Sequence, residues 1–390
     1  MKILEKILLL LIILAAGSCI TQFMPETGDI KQFLVVEGLI TDQNCSNTIL
    51  LSKSSPLNSN FKKLPVSGNV TITDNLQNNY VLREKKPGTF VTDSLKFRGI
   101  VGRKYVLKIT AEGYNYLSDT IEMKSVPPIG AVQSEKIYNN SYQLGAPIPG
   151  FQIYVSTFDP AGKTGYYRWT FAETWEFRLP YNHPSIVNRV CWKSGNSKTI
   201  YIETTKSLTE DRVFRFPLNF ITAETDRLTI KYSQLVKQYS LNENEYLYWE
   251  NIQKINQASG GLYDVVPISV RSNIRCIEDP AREVLGYFSV SAVSEQRIFI
   301  NPELSGFPDF YKNCPNDTIP SWIPDSRIGK SIFVIMEYMY PGQTIGWPYY
   351  IVTYNKSCHD CSLSGSKVKP DYWDNNKNIT VPKDNYDFRK

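Results

Sequence analysis

Residues 167–177, Tyr-Arg-Trp-Thr-Phe-Ala-Glu-Thr-Trp-Glu-Phe, decide the fold. Tyr167, Trp169, Phe171, Trp175 and Phe177 fall on one side of an extended chain, with Arg168, Thr170, Thr174 and Glu176 on the other. That is the two-residue period of a strand with one buried face. A helix would scatter the same rings around its circumference. Glu173 breaks the pattern, because a carboxylate in the middle of an aromatic face needs a cation or hydrogen-bond donors, or must take up a proton. It reads first as an ion pair near a domain edge. The functional alternative is a ligand-facing acid in an aromatic cleft, with Trp175 beside it as a further ligand or partner contact.

Upstream of this strand, short β-rich runs recur at 33–40, 48–52, 70–73, 80–83, 89–91, 105–110 and 116–122, separated by turn residues such as Asp74-Asn75, Pro87-Gly88 and Gly102. Tyr105, Leu107 and Ile109 alternate with Val106, Lys108 and Thr110 in the same two-residue rhythm. About seven strands in some ninety residues predict an immunoglobulin-like β-sandwich over 32–123. Pro127-Pro128 cannot join a central sheet and is expected to stiffen a linker at 124–130. The rest, 131–390, reads as a larger β-rich domain with a second long strand region at 284–300. One helix is expected between the two long strands: Ser240 and Glu243 form a capping box, Trp249, Ile252 and Ile255 recur at helical spacing, and Gly260-Gly261 stops the pattern. Trp249 reads as core on the apolar stripe of that helix. Beyond Phe307 the chain is rich in Pro, Asn, Asp and Gly and reads as long loops pinned by disulfides.

The start of the chain carries an address. Lys2 and Lys6 precede an apolar run that ends in Ala16-Gly17-Ser18-Cys19, and the run is too short to span a bilayer as a helix. Small residues directly before a cysteine mark a lipoprotein signal peptide over 1–18, cleaved so that a lipidated Cys19 becomes the first residue. Ala16 stands where Leu is commonest. Residues 19–31 follow as a flexible tether. Without Lys2, Glu5 and Lys6 the formal charge of +5 falls to +4. That mild balance lacks the dense basic stripe of a nucleic-acid binder.

Six cysteines remain: Cys45, Cys191, Cys276, Cys314, Cys358 and Cys361. An even set in an exported chain reads as disulfides, with fifteen connectivities open. Cys358-His359-Asp360-Cys361 has the spacing of half a zinc site, but no second close pair completes it, and a redox motif of this spacing normally opens a helix. His183 and His359 are the two histidines, and neither comes with a nucleophile or zinc motif. Glu173 and Glu176 point to opposite sides of their strand and cannot act on one bond. No phosphate loop or dinucleotide fingerprint occurs. The reading is therefore of a chain with no catalytic residues, no metal and no cofactor.

Val36-Glu37-Gly38-Leu39-Ile40-Thr41-Asp42, Val66-Ser67-Gly68-Asn69-Val70, Gly102 before Tyr105-Val106-Leu107-Lys108-Ile109, Cys191-Trp192, Gly286-Tyr287-Phe288 with Arg297-Ile298-Phe299, and the cysteine pair leading to Lys369-Pro370-Asp371-Tyr372-Trp373 occur in this order. Together they resemble domain-of-unknown-function family 4249, across nearly the whole mature chain. Gly130 stands where that family is expected to carry an Asp. The resemblance implies a lipid-anchored outer-membrane protein, on the cell surface, whose partner is a TonB-dependent receptor. It brings no catalytic residues. The expected function is a non-enzymatic accessory or substrate-binding partner of that transporter, for a small-molecule, glycan or peptide ligand contacted by Glu173, Trp175 or Trp373. A carboxylate-dependent glycan- or peptide-active enzyme and a structural or adhesive surface lipoprotein are the alternatives.

Overall fold

A computed structural model describes residues 32–55, 64–140, 147–179, 184, 186–258, 270–302, 317–320, 333–338 and 349–374. The chain is mainly β, with one α-helix among the described residues. The expected signal peptide at 1–18, Cys19, the expected tether at 19–31, His183, Gly260-Gly261 and Cys314 lie outside them.

The first body is two six-stranded sheets that share one buried cluster. Val36, Ile40 and Leu51 enter it from one sheet and Ile72, Leu107 and Tyr116 from the other. The alternation read at 105–110 explains the packing: in Lys104–Ala111 the side chains of Tyr105, Leu107 and Ile109 are buried, while Lys108 and Thr110 are exposed.

The expected division of the chain at residue 131 is corrected by two strands. Ile274–Cys276 pairs with Tyr114–Ser118 at the edge of one sheet, and Val284–Ser291 runs parallel to Leu34–Thr41 in the other. Their apolar residues, Ile274, Val284, Phe288 and Val290, belong to the first cluster. The reason is burial, because strand Leu34–Thr41 would otherwise present an open apolar edge. Gly286 permits the approach. Its φ is +87°, and a Cβ there would sit 2.1 Å from the Val36 carbonyl oxygen.

The second body faces a three-stranded sheet, Ile129–Asn140, Pro147–Phe158 and Arg212–Thr222, with a five-stranded one centred on Tyr166–Arg178 and Lys231–Ser240. Ile153 and Val155 from the first sheet meet Tyr167, Trp169, Phe171 and Phe177 from the second in one cluster. The five rings of the opening stretch are all core. A further three-stranded sheet joins Asp317–Pro320, Phe333–Tyr338 and Tyr349–Thr353.

The two bodies are stitched together rather than spaced apart. Pro127 and Pro128 do not make a free spacer, since their carbonyls accept from Gln238 Nε2 (2.9 Å) and Thr157 Oγ1 (3.3 Å) of the second body. The run 284–300 is two strands that divide at Ala292, which is buried, so the chain passes from a sheet of one body into a sheet of the other. The helix Glu243–Ala258 lies at the same joint. Its cap falls two residues later than expected: Asn242 Oδ1 accepts from Glu245 N (2.9 Å), and Ser240 instead donates to Lys124 O (3.0 Å). Asn242 wins because its side chain reaches the first turn directly. Trp249 packs in a small cluster with Leu39, Tyr239 and Leu241, under the Arg168 guanidinium at 3.7 Å.

Glu245 is fully buried at this joint. It lies 3.5 Å from Trp249 Nε1, and the Ser289 hydroxyl of the first body is near enough to favour its charged form. Its Oε2 has no partner among the described residues. Burial pushes its carboxyl up to about 7, against the smaller pull of Ser289, Arg168 and Trp249.

Disulfide pairing is narrower than expected. Cys191 bonds Cys361, and Cys358 is also disulfide-bonded. Cys45 and Cys276 are free thiols. They cannot meet, because Cys45 sits on an exposed turn and Cys276 is sealed in the first cluster. In the CxxC segment Asp360 accepts from Ser362 N (2.9 Å) and Asn188 Nδ2 (2.9 Å), and the His359 ring lies 5.1 Å from Phe333. The segment is a clasp between the tail and the five-stranded sheet.

Candidate functional site

Glu173 is brought to the inner face of the five-stranded sheet by the strand period alone, and the neighbouring elements supply what a buried carboxylate requires. Arg227, from the short turn Asp226–Leu228, reaches Oε1 through Nη2 (2.9 Å) and both oxygens through Nε (3.2 Å). The Tyr232 hydroxyl lies 2.9 Å from Oε2 and 2.8 Å from Gln234 Oε1, and Gln234 Nε2 donates to Asn219 Oδ1 (2.9 Å). Trp175 lies under the guanidinium, its ring centre 4.6 Å away, and its Nε1 donates to Asp226 Oδ1 (3.1 Å). The bond to Glu173 raises the Arg227 pKa above its ordinary value, and burial followed by the Glu173 charge raises that of Tyr232 far above the phenolic range.

The ion-pair reading of Glu173 is what the structure contains, but the pair also floors an open cavity of about 330 Å³. Phe171, Tyr201 and Phe220 wall it, and Lys198 stands on its exposed rim. The Tyr201 pKa is raised, mostly by burial.

Trp175 and Trp373 are corrected from contact residues to packing residues. Trp175 is buried in the second cluster. Trp373 is 2% exposed and lies on the opposite face of the sheet: its Nε1 donates to Glu176 Oε2 (2.6 Å), its carbonyl accepts from Lys231 Nζ (2.7 Å), and its ring meets Phe299 edge-on. Tyr372 beside it pairs with Thr174 (2.9 Å) and stacks under Arg297 at 3.7 Å. The alternation of Glu173 and Glu176 thus holds, one acid serving each face. Among the described residues no group of three or more His, Cys, Asp or Glu could hold a metal ion.

Arg227, Tyr232, Gln234 and Asn219 were not legible as site residues. The one signal was Glu173 itself, whose position demanded a cation without saying which.

The fold and cavity define a class: a two-bodied, mainly β chain whose first body is completed by strands that return to it before the last strand of the second body's five-stranded sheet. Within that class the chain belongs to the family described as a domain of unknown function, DUF4249, which it matches over residues 20–297. That span takes in both bodies and ends at Arg297, so the landmarks from Cys358 to Trp373 lie beyond it and the resemblance is shorter than expected. Two landmarks inside it, at 36–38 and 286–288, are strand neighbours in register, Val36 facing Gly286 and Gly38 facing Phe288. No curated protein matches the chain.

Proposed function

We propose that the chain is a non-enzymatic outer-membrane lipoprotein, anchored through Cys19 at the cell surface, that acts as an accessory or substrate-binding partner of a TonB-dependent transporter. The observation that carries this reading is the signal pattern ending at Cys19, with the family match opening at residue 20 directly behind it. The first body, proposed as an immunoglobulin-like module, serves as spacer and docking unit. The tether enters at the Leu34 end of the first strand. The second body is held at the other end, where Asp42 Oδ1 accepts from Val293 N (2.9 Å) and Gln43 donates to Glu295 (2.8 Å). An eight-residue strand is about 25 Å long, so this arrangement supports a cavity held off the membrane yet at high effective concentration beside a resident barrel. No helix among the described residues is long and apolar enough to cross a membrane.

The test is recovery of partners with the full lipidated chain from detergent-solubilised outer membranes. The expected result is co-purification of a TonB-dependent barrel, lost for Cys19→Ala. Recovery of the chain without any barrel protein contradicts the reading.

A further inference from the structure

We infer that the cavity over the Glu173–Arg227 pair binds a small organic carboxylate, with the carboxylate held by Arg227 and Lys198 and the organic part between Phe171, Phe220 and Tyr201. The inference rests on the ligand-binding half of the function proposed above and gives that ligand a chemistry.

Charge accounting leads to an anion. The charged side chains lining the cavity are Glu173, Lys198 and Arg227, one negative and two positive. Glu173 is already consumed, since Oε1 accepts from Arg227 Nη2 and Oε2 from Arg227 Nε and Tyr232. Arg227 is not, because its bonds to Glu173 use Nε and Nη2 only, and its Nη1 has no partner among the described residues. Lys198 has no partner among them either. One positive charge and its donors therefore face the cavity without a counter-ion, which suits a monoanion.

Shape narrows the class. The guanidinium is clamped between Glu173 at one edge and Trp175 across one face, so its remaining edge is fixed in direction before a ligand arrives. A planar carboxylate matches such a pre-set edge. About 330 Å³ lies at the small end of ligand pockets, which run from about 300 to 1,000 Å³. Three aromatic walls give an apolar body contact area at low entropic cost. A bare inorganic anion would leave those walls wet, and a neutral ligand would leave the cationic charge unmatched.

The experiment is isothermal titration of the chain from residue 20 onward with phenylacetate, phenylacetamide and inorganic phosphate. Phenylacetate is expected to bind saturably and at least about 10-fold more tightly than the other two, a factor worth about 1.4 kcal/mol. Lys198→Gln, on the exposed rim, is expected to weaken phenylacetate about 2- to 5-fold with unchanged circular dichroism, as for an exposed charge contact. Arg227→Lys is expected to weaken it more than 10-fold. Equal binding of phenylacetate and phenylacetamide, tighter binding of phosphate, absence of saturable phenylacetate binding, or unchanged affinity in both variants would overturn the inference. A chain that recovers a barrel but binds no carboxylate loses this inference alone. A chain that binds phenylacetate but recovers no barrel loses the transporter reading alone.

Discussion

Two buried acids in two regions separate what pairing does from what burial does. Glu173, in the core of the second body, sits against Arg227 at 2.9 Å and Tyr232 at 2.9 Å, so both of its oxygens are engaged. Glu245, at the joint between the bodies, has Arg168 close enough to favour its charge, yet one oxygen has no partner among the described residues and the carboxyl is pushed up to about 7. The first acid is held in a bonded ion pair. The second has its charge set by solution pH. The joint is therefore expected to respond to pH change.

Removing the partner of the paired acid should have the largest effect. Arg227→Leu leaves a buried carboxylate without its cation, a change that costs about 3–5 kcal/mol in general. With Arg227 itself about one-third exposed, about 3 kcal/mol is expected in urea unfolding, and a loss below about 1 kcal/mol would erase the contrast.

The joint should show a pH dependence of similar or slightly smaller size. The folded-state pKa of Glu245, about 7, lies above its ordinary value of 4.5. Its contribution to stability is fully present below pH 4.5 and is lost as pH rises through 7. The span corresponds to about 3 kcal/mol at most. Glu245→Gln should flatten that slope and raise stability at pH 8, read as denaturation midpoints from pH 4.5 to 8. A slope that survives the substitution assigns the titration to another group.

Tyr232→Phe deletes a hydrogen bond to a charged group and is expected to cost about 2 kcal/mol. Ser289→Ala, across the joint, should cost about 1 kcal/mol at pH 8 and move the titration midpoint upward, because the charged form of Glu245 loses a donor. If Ser289→Ala leaves the titration midpoint where it is, Glu245 does not carry the titration.

The residues differ in how openly they announce these arrangements. The alternation at 105–109 and at 167–177 was legible because each places bulky apolar side chains on a single face. Lys231–Ser240 was not, because its buried members include Ser233, Gln234, Gln238 and Ser240. Polar residues satisfied by one another, such as Gln238 between Trp169 Nε1 and Pro127 O, leave no hydrophobic period to read. The return of 274–291 to the first body was equally hidden, since neither the antiparallel pairing of Ile274–Cys276 with Tyr114–Ser118 nor the parallel pairing of Val284–Ser291 with Leu34–Thr41, across about 250 residues, has a local signature. At the site, Glu173 declared a need and the chain gave no sign that Arg227 met it. At the joint, a helix cap was read from Ser240 and Glu243, and the residue that matters lies in the next frame, Asn242 with Glu245.

Everything proposed about location rests on the proposed processing at Cys19. Intact mass measurement of the protein extracted from the membranes of its native host tests this directly. The account predicts a chain that begins at Cys19, carries the mass of a diacylglyceryl thioether and fractionates with the outer membrane. A chain that begins elsewhere, or an unmodified Cys19 in the soluble fraction, would contradict it.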